Sequence, residues 1–264
     1  MIATVTTAGL ILRLQENFEL VRQRLDRYIE ANDDECIHDL RTAIRRLRTA
    51  YGILPAECRS RSSEGYMELS RELFRHNSRA RDCDVMRAKL MDQGVAGDDD
   101  LIRQLQDERK KLSRAAKVLA RRLKKRKLPM FEPGDGQIVS NYHQQFEKYL
   151  ARFLQAMPAV LTADSNCEEI HAMRKDAKRL HYLLELVPDP ADDRRMIHLK
   201  LFQRLSGDLH DCDVTIDFLE EYPESSARVS RLLACERLMR HGLYTEMCGL
   251  LQGADWDQML RDAQ

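Results

Sequence analysis

Apolar residues recur at helical spacing along almost the whole chain, and the strict alternation typical of a half-buried strand is hard to find. This pattern predicts an all-α protein whose helices are separated by short polar or proline-containing segments. The predicted helices cover residues 9–31, 34–54, 64–79, 82–93, 99–127, 137–157, 166–187, 193–206, 211–222 and 225–249.

The strongest helix-breaking segment, Leu128 to Gly136, lies near the middle of the chain and contains two prolines and two glycines. A breaker at this position suggests an internal duplication, and the sequence contains one. A shift of 133 residues places the segment 38–48 on 171–181, and a shift of 129 residues places 81–85 on 210–214. We therefore predict repeat 1 at residues 9–128 and repeat 2 at residues 136–250.

The repeated helix carries a basic stripe beside its apolar, core-facing seam. In the first repeat the stripe is His38, Arg41, Arg45 and Arg48, and in the second it is His171, Arg174, Lys178 and His181. Neither stripe contains a carboxylate, and like charges at this helical spacing repel each other by a few tenths of a kcal/mol per pair. An anionic ligand would offset that cost.

The next helix of each repeat adds a pair of cations at i and i+4. These are Arg71 and Arg75 in the first repeat, and Lys200 and Arg204 in the second. In a duplicated bundle with a pseudo-twofold axis, the two basic helix pairs would face each other across a channel. Such a lining suits a polymer of many closely spaced phosphates better than a single phosphate.

The net charge is zero, with 43 basic and 43 acidic residues, but the signs are sorted along the chain. The segment Arg109–Lys127 holds eleven basic residues and no acidic one, whereas Asp208–Glu224 holds seven acidic residues and no Lys or Arg. Arginine outnumbers lysine 32 to 11, and its planar fork of donors suits phosphate oxygens. The two segments pair either within one molecule or between two, so a homodimer stays open.

Seven cysteines without a Cys-x-x-Cys pair favour a reducing, cytoplasmic compartment. The first residues, Met1 to Leu12, lack the basic segment and the cleavage site of a signal peptide. No apolar run approaches the roughly 20 residues of a membrane helix. We therefore expect a cytoplasmic protein without a membrane partner.

The paired His-x-x-Arg-x-x-x-(Arg/Lys)-Arg-Leu helices, with the Asp-x-Asp segments that follow them, resemble the CHAD family, the conserved histidine α-helical domain. The resemblance covers residues 9–250 and implies two pseudo-symmetric four-helix bundles around a basic central pore. It also implies binding of inorganic polyphosphate and association with polyphosphate granules and their proteins. The binding residues implied by matching positions are His38, Arg41, Arg45, Arg48, Arg71, Arg75, His171, Arg174, Lys178, His181, Lys200 and Arg204.

One departure from the pattern concerns the position of Arg48, where the second repeat has His181. Unlike arginine, histidine changes its charge near neutral pH. We therefore expect the second half to bind less strongly or in a pH-dependent way.

Two pairs of aspartates, Asp82 with Asp84 and Asp211 with Asp213, are predicted at helix starts. There they would cap helices or hold the binding arginines from behind. The chain has no Glu-x-Glu-x-Lys signature, no Walker loop and no nucleophile elbow. We therefore expect a binding protein without a cofactor; a phosphoryl-transfer enzyme, with these aspartates as metal ligands, is a competing hypothesis.

Metal binding and nucleic-acid binding also stay open as functions. A metal-binding protein would use the segment His210–Asp213, but the spacing of its residues is not that of a structural zinc site. We expect Mg²⁺ or Ca²⁺ only as counter-ions of the polyanion.

A nucleic-acid-binding protein would use Arg109–Lys127. That segment has its own apolar seam, and the chain has few aromatic residues for base stacking.

Overall fold

Helices make up the whole regular structure of the part of the chain that is described. The structure is a computed structural model and describes residues 5–31, 33–97, 99–132, 137–187, 194–223 and 226–261. Its elements, in chain order, are α1 (Thr7–Glu30), α2 (Asp34–Gly52), a short 3-10 helix (Ala56–Cys58), α3 (Arg61–Asp92), α4 (Asp100–Lys124), α5 (Gln137–Thr162), α6 (Cys167–Leu184), α7 (Arg194–Glu220), α8 (Ala227–Gln252) and α9 (Trp256–Arg261). The predicted all-α class is confirmed, and these described residues contain no strand.

Two predicted helix breaks do not exist. Residues 64–79 and 82–92 belong to the single helix α3, which ends one residue before the predicted end at 93, and residues 194–206 and 211–220 belong to the single helix α7. No proline interrupts either helix, and Gly207 is accommodated inside α7. The predicted placement of Asp82, Asp84, Asp211 and Asp213 at helix starts is therefore wrong, because all four lie within a helix. The predicted helix starts at 193 and 225, and the repeat start at 136, lie outside the described residues.

The helices form two units, Thr6–Asn141 and Tyr142–Gln264, which we call the N-terminal unit and the C-terminal unit. The division falls within α5. The two-repeat organisation stays a prediction, as does the central pore. None of the described helices has the length and apolarity that crossing a membrane requires.

In the N-terminal unit, α1 packs on α2 and α4, and α3 also packs on α2 and α4. Each helix buries one apolar stripe, as the periodicity predicts. Aromatic rings fill part of this core: the Phe18 ring lies 5.2 Å from that of Tyr66 and 5.6 Å from that of Phe131, between centroids. These arrangements fix the face that α2 and α3 present beside each other.

In the C-terminal unit, α7 packs on α6, α8 and α9. The Phe153 ring of α5 lies 5.3 Å from Phe202 of α7 and 5.3 Å from Trp256 of α9. The buried Trp256 indole donates its hydrogen bond to the Leu251 carbonyl at 3.1 Å, so its polar group is satisfied. This cluster anchors α7, whose neighbour α6 carries the second basic stripe.

Candidate anion-binding faces

Three arginines of α2 gather around one aromatic ring of α3. The Cζ atoms of Arg41, Arg45 and Arg48 lie 5.3, 5.1 and 5.6 Å from the centroid of the Phe74 ring. Cations are attracted to the electron-rich face of an aromatic ring within about 6 Å. The spacing i, i+4, i+7 places all three arginines on one side of α2. Phe74 was not among the residues predicted from the sequence, although a phenylalanine between Arg71 and Arg75, on the same side of the helix, was a signal for it.

Arg41 is the deepest residue of this group and has a structural bond. It is 9% exposed, and its Nη1 donates a hydrogen bond to the Asn77 carbonyl of α3 at 2.9 Å. The Asn77 side chain in turn accepts a bond from the buried Tyr28 hydroxyl at 2.8 Å. Arg41 therefore connects α2 to α3 as well as contributing charge.

The remaining cations of the face are more open to solvent. Arg71, Phe74 and Arg75 lie at i, i+3 and i+4 on α3 and so share one side of the helix. Arg48, Arg71 and Arg75 are exposed, and Arg45 is half-buried. Within the described ranges, no carboxylate forms an ion pair with Arg45, Arg71 or Arg75. We call the group His38, Arg41, Arg45, Arg48, Arg71 and Arg75 the N-terminal basic face.

His38 stands at the edge of this face, where protonation is disfavoured. Partial desolvation lowers the pKa of His38, and the positive charges of Arg81, Arg41 and Arg45 lower it further. Asp39 opposes this shift. A polyanion on the face would reverse the balance, because a nearby negative charge favours the imidazolium form.

The corresponding residues of the C-terminal unit lie along α6 and α7. The Gln203 amide of α7 donates to the Ala177 carbonyl of α6 at 3.1 Å. A Cβ atom added at Gly207 would lie 3.8 Å from Nη2 of Arg174, which places that guanidinium beside the α7 backbone. We call the group His171, Arg174, Lys178, Lys200 and Arg204 the C-terminal basic face.

An open cleft of about 340 Å³ adjoins this second face. The His171 and His210 rings lie there with their centroids 5.0 Å apart. Acidic residues also line the cleft, including Glu168, Asp213 and Asp217. The cleft therefore places carboxylates beside the cations of the C-terminal basic face.

The pKa of His171 is also lowered. Desolvation contributes most, followed by the positive charges of Lys175, Arg174 and Lys178, while Asp213 opposes them. His38 and His171, which begin the two predicted stripes, therefore both have a lowered pKa.

His181 was predicted to lie with the cations of the second basic stripe, but its side chain is buried. It is 5% exposed, its Nε2 lies 3.2 Å from Oε1 of Glu185, and its ring packs edge-on against Tyr182. The ring is thus buried beside the carboxylate at the C-cap of its helix and is not exposed with the other cations of the stripe. The equivalence of His181 with Arg48 in sequence therefore does not extend to exposure.

Two aspartates of the Asp-x-Asp segments, Asp84 and Asp213, bond to arginines that lie outside the basic faces. Asp84 is fully buried and accepts a bond from Nε of Arg109 in α4 at 2.6 Å, and the same guanidinium reaches Asp34 at the start of α2 at 3.2 Å. Burial raises the pKa of Asp84 despite the opposing effect of Arg109.

The C-terminal unit repeats this arrangement with Arg240 of α8. Its Nε donates to Asp213 at 2.5 Å, and its Nη2 donates to Sγ of Cys167, at the start of α6, at 3.1 Å. We call the Arg109 and Arg240 clusters the arginine ties. Neither arginine was predicted from the sequence; their signal was an arginine 25 or 27 residues after the second aspartate of each segment.

No group of three His, Cys, Asp or Glu side chains able to hold a metal ion occurs among the residues whose placement is described. His210, Asp211 and Asp213 are in α7, and Asp213 is engaged by Arg240.

Comparison with known proteins gives a family and a fold. The CHAD domain family model matches residues 12–220 and 144–264. The fold is similar to the CHAD domain from the plant Ricinus communis, with a TM-score of 0.63, 17% sequence identity, and coverage of 96% of this chain and 93% of that chain.

It is also similar to PptA from Streptomyces chartreusis, with a TM-score of 0.66, 13% identity, and coverage of 95% of this chain and 99% of that chain. No curated protein matches the sequence. The family model matches most of the chain and the helical fold agrees with it, so the chain belongs to the CHAD domain family.

Proposed function

We propose that this protein binds inorganic polyphosphate through its N-terminal and C-terminal basic faces. The observation that carries the proposal is the cluster of three guanidinium groups within 5.6 Å of the Phe74 ring centroid. Like charges gathered in this way repel each other, and a bound polyanion would lower that repulsion. The CHAD family is linked to polyphosphate, which supports the same ligand.

The shape of the faces favours a polymer over a single phosphate. In the N-terminal basic face, cations follow α2 from residue 38 to residue 48, a rise of about 15 Å at 1.5 Å per residue. Arg71 and Arg75 widen the face on α3. Multiple charge-assisted contacts along one chain give an affinity that grows with polymer length.

We further propose a role in binding rather than in catalysis, in the cytoplasm and at polyphosphate granules. The cations of the basic faces act as donors to phosphate oxygens, with Mg²⁺ or Ca²⁺ arriving as counter-ions of the polymer. In the Asp-x-Asp segments, Asp84 and Asp213 are already engaged by Arg109 and Arg240.

The test compares two triple variants with equal loss of charge. The face variant R45Q/R71Q/R75Q removes cations that have no ion pair in the described structure. The control variant R13Q/R103Q/R237Q removes one half-buried and two exposed arginines, which pair with Glu16, Asp100 and Glu220. Each protein is titrated with phosphate, triphosphate, long polyphosphate and duplex DNA of matched charge concentration at about 150 mM salt.

We expect the face variant to lose long-polyphosphate affinity at least tenfold, and the control variant less than twofold. The magnitude of the slope of log affinity against log salt should fall by about two for the face variant. Each of the three lost contacts to a single flexible strand lowers that magnitude by roughly 0.7. Equal behaviour of the two variants, or DNA binding as tight as polyphosphate binding, would refute the proposal.

A further inference from the structure

The helix α4 is divided into two halves of different electrostatic character. In the first half, Arg103 pairs with Asp100, Lys110 with Asp107, and Lys111 with Glu108, each three residues apart. The second half, from Leu112 onward, contains no acidic residue. Carboxylates of the helix therefore pair with cations in its first half, whereas its second half contributes cations only.

The cations of the second half lie on the side of α4 that faces away from the core. Leu112, Ala116, Leu119 and Leu123 are buried, whereas the cations at i, i+3, i+7, i+8 and i+11 from residue 114 point to the opposite side. No ion pair involves these cations within the described parts of the chain. We call them the α4 patch; it consists of Arg114, Lys117, Arg121, Arg122 and Lys125.

The α4 patch is separate from the N-terminal basic face. In this unit α2 and α4 each pack on both α1 and α3. They therefore occupy opposite corners of the four helices, and their outer sides point in different directions. A short anionic chain bound along α2 and α3 cannot also lie along the outer side of α4.

Helix stability accounts for only part of the patch. Cations in the last turn interact favourably with the helix macrodipole, which explains Arg121, Arg122 and Lys124. Arg114 and Lys117 lie one to two turns earlier, outside the range of that effect. Repulsion between Arg114, Lys117 and Arg121 at spacings of three and four residues is then uncompensated.

The side chains around the cations suit phosphate and not bases. The helix α4 has no aromatic residue, and its glutamines, Gln104 and Gln106, lie in the first half. The patch therefore offers charged donors without stacking surfaces or amide groups for reading bases. The cations from Arg114 to Lys125 extend over about 16 Å.

We propose that the α4 patch is a second polyphosphate-binding surface, so that one protein molecule cross-links polyphosphate chains. This inference rests on the proposed function, because it assigns the same ligand to a surface outside the basic faces. A short chain occupies one surface at a time. A long chain, or two chains, engages both surfaces and connects protein molecules into an assembly.

The experiment uses two variants of the full chain with identical residue changes in the two halves of α4. The patch variant is R114Q/K117Q/K125Q, and the control variant is R103Q/K110Q/K111Q. Each removes one arginine and two lysines from exposed or half-buried positions of α4 or, for Lys125, from its C-cap, and Gln is a comparable helix former. Calorimetry with short polyphosphate counts the chains bound, and light scattering with long polyphosphate measures cross-linking.

We expect the patch variant to bind one short chain fewer per protein than the control variant, with the tight class of sites unchanged. Its maximum light scattering with long polyphosphate should be at most half that of the control. For the parent protein, scattering should rise and then fall as polymer is added, because excess polymer occupies each surface separately.

Each contrary result overturns this inference in a distinct way. If the parent binds polyphosphate and the two variants agree in stoichiometry and scattering, the α4 patch is not a binding surface, while the proposed function stands. If the parent fails to bind polyphosphate, the proposed function fails as well. If the patch variant loses only duplex DNA binding, the α4 patch is a nucleic-acid surface. If the patch variant without ligand differs from the parent in the molecular mass measured in solution, the patch is a self-association surface.

Discussion

The ring of Phe74 lies within 5.6 Å of three guanidinium groups and offsets part of their mutual repulsion. Each is held by the negative face of the ring, an attraction of about 0.5–1 kcal/mol at exposed sites. The corresponding position of the C-terminal unit is Gln203, whose amide bonds to the backbone instead. The aromatic platform therefore belongs to one face only.

We predict that Phe74→Leu lowers polyphosphate affinity about fivefold, corresponding to roughly 1 kcal/mol. The apolar volume is largely kept, while the electrostatic attraction to the ring is lost. Binding titrations measure the effect, and Phe74→Tyr, which retains an aromatic face, serves as the control. Equal affinity of the leucine and tyrosine variants would contradict this role of the ring.

Arg41 is buried and Arg45 is half-buried. Variants of these two residues therefore distinguish a contribution to stability from a contribution to binding. Replacing Arg41 by Gln removes the charged donor to the buried Asn77 carbonyl, and a hydrogen bond of this kind contributes about 1.5–3 kcal/mol. Arg45→Gln removes a half-buried cation without a hydrogen bond to the backbone. We predict that urea unfolding shows a loss of stability for Arg41→Gln only, whereas polyphosphate titration shows weaker binding for both.

The lowered pKa values of His38 and His171 predict proton uptake on binding. A bound polyanion favours the imidazolium forms, so affinity should increase as the pH falls from about 8 to about 6. The variant H38Q/H171Q should give a flatter profile at constant ionic strength. A profile as steep as that of the parent would show that neither histidine contacts the ligand.

The same shifts have a consequence for the ligand-free protein. Because the folded state binds protons at these histidines more weakly than the unfolded state, stability should decrease as the pH falls below about 6.5. Urea unfolding of the parent and of H38Q/H171Q between pH 8 and pH 5.5 measures this. The double variant should lose less stability on acidification.

At the level of elements, the arginine ties join three helices in each unit. Removing one partner of a buried ion pair costs about 3–5 kcal/mol, because a charge is left without compensation. We predict that Arg109→Met destabilises the protein by about 3 kcal/mol, measured by urea unfolding. Arg240→Met should cost less, because the Asp213 side chain is 25% exposed while that of Asp84 is fully buried.

The sequence predicted most helices because their apolar stripes repeat with helical period, and these stripes are buried. Two false breaks arose because the Asp-x-Asp segments were interpreted as helix starts. Aspartate favours an N-cap position, but Asp84 and Asp213 bond to arginines of the next long helix instead. The helix α5 also continues past Pro158, where a break was predicted, and ends at Thr162.

The basic stripes could be predicted because spacing on a helix decides which residues share a side. Whether that side is exposed depends on neighbouring helices, which the pattern does not contain. His181 was misplaced for this reason, since its side chain is buried. The cluster around Phe74 and the arginine ties were missed because they form between residues 25 or more apart in sequence.

For the molecule as a whole, the two basic faces are similar in sequence but unequal in strength. The N-terminal basic face has Phe74 and the exposed Arg48, whereas the C-terminal basic face adjoins a cleft with acidic residues and lacks an exposed counterpart of Arg48. A polyanion is attracted less where carboxylates lie beside the cations.

We therefore predict that R71Q/R75Q weakens polyphosphate binding at least threefold more than K200Q/R204Q does. Both variants lose two charges from exposed, aligned positions, so a general charge effect would act on them equally. Titration with polyphosphate at about 150 mM salt compares them directly. The opposite order would show that the C-terminal face dominates.

The arginine ties also set an order of events during protein synthesis. Arg109 and Arg240 lie in α4 and α8, the last long helix of each unit, and the aspartates they engage are made earlier. As a unit emerges from the ribosome, its third helix therefore carries a carboxylate whose counter-charge has not yet been translated. Complete packing of the first three helices must wait for the fourth, so each unit closes around its final helix rather than growing stably from its first.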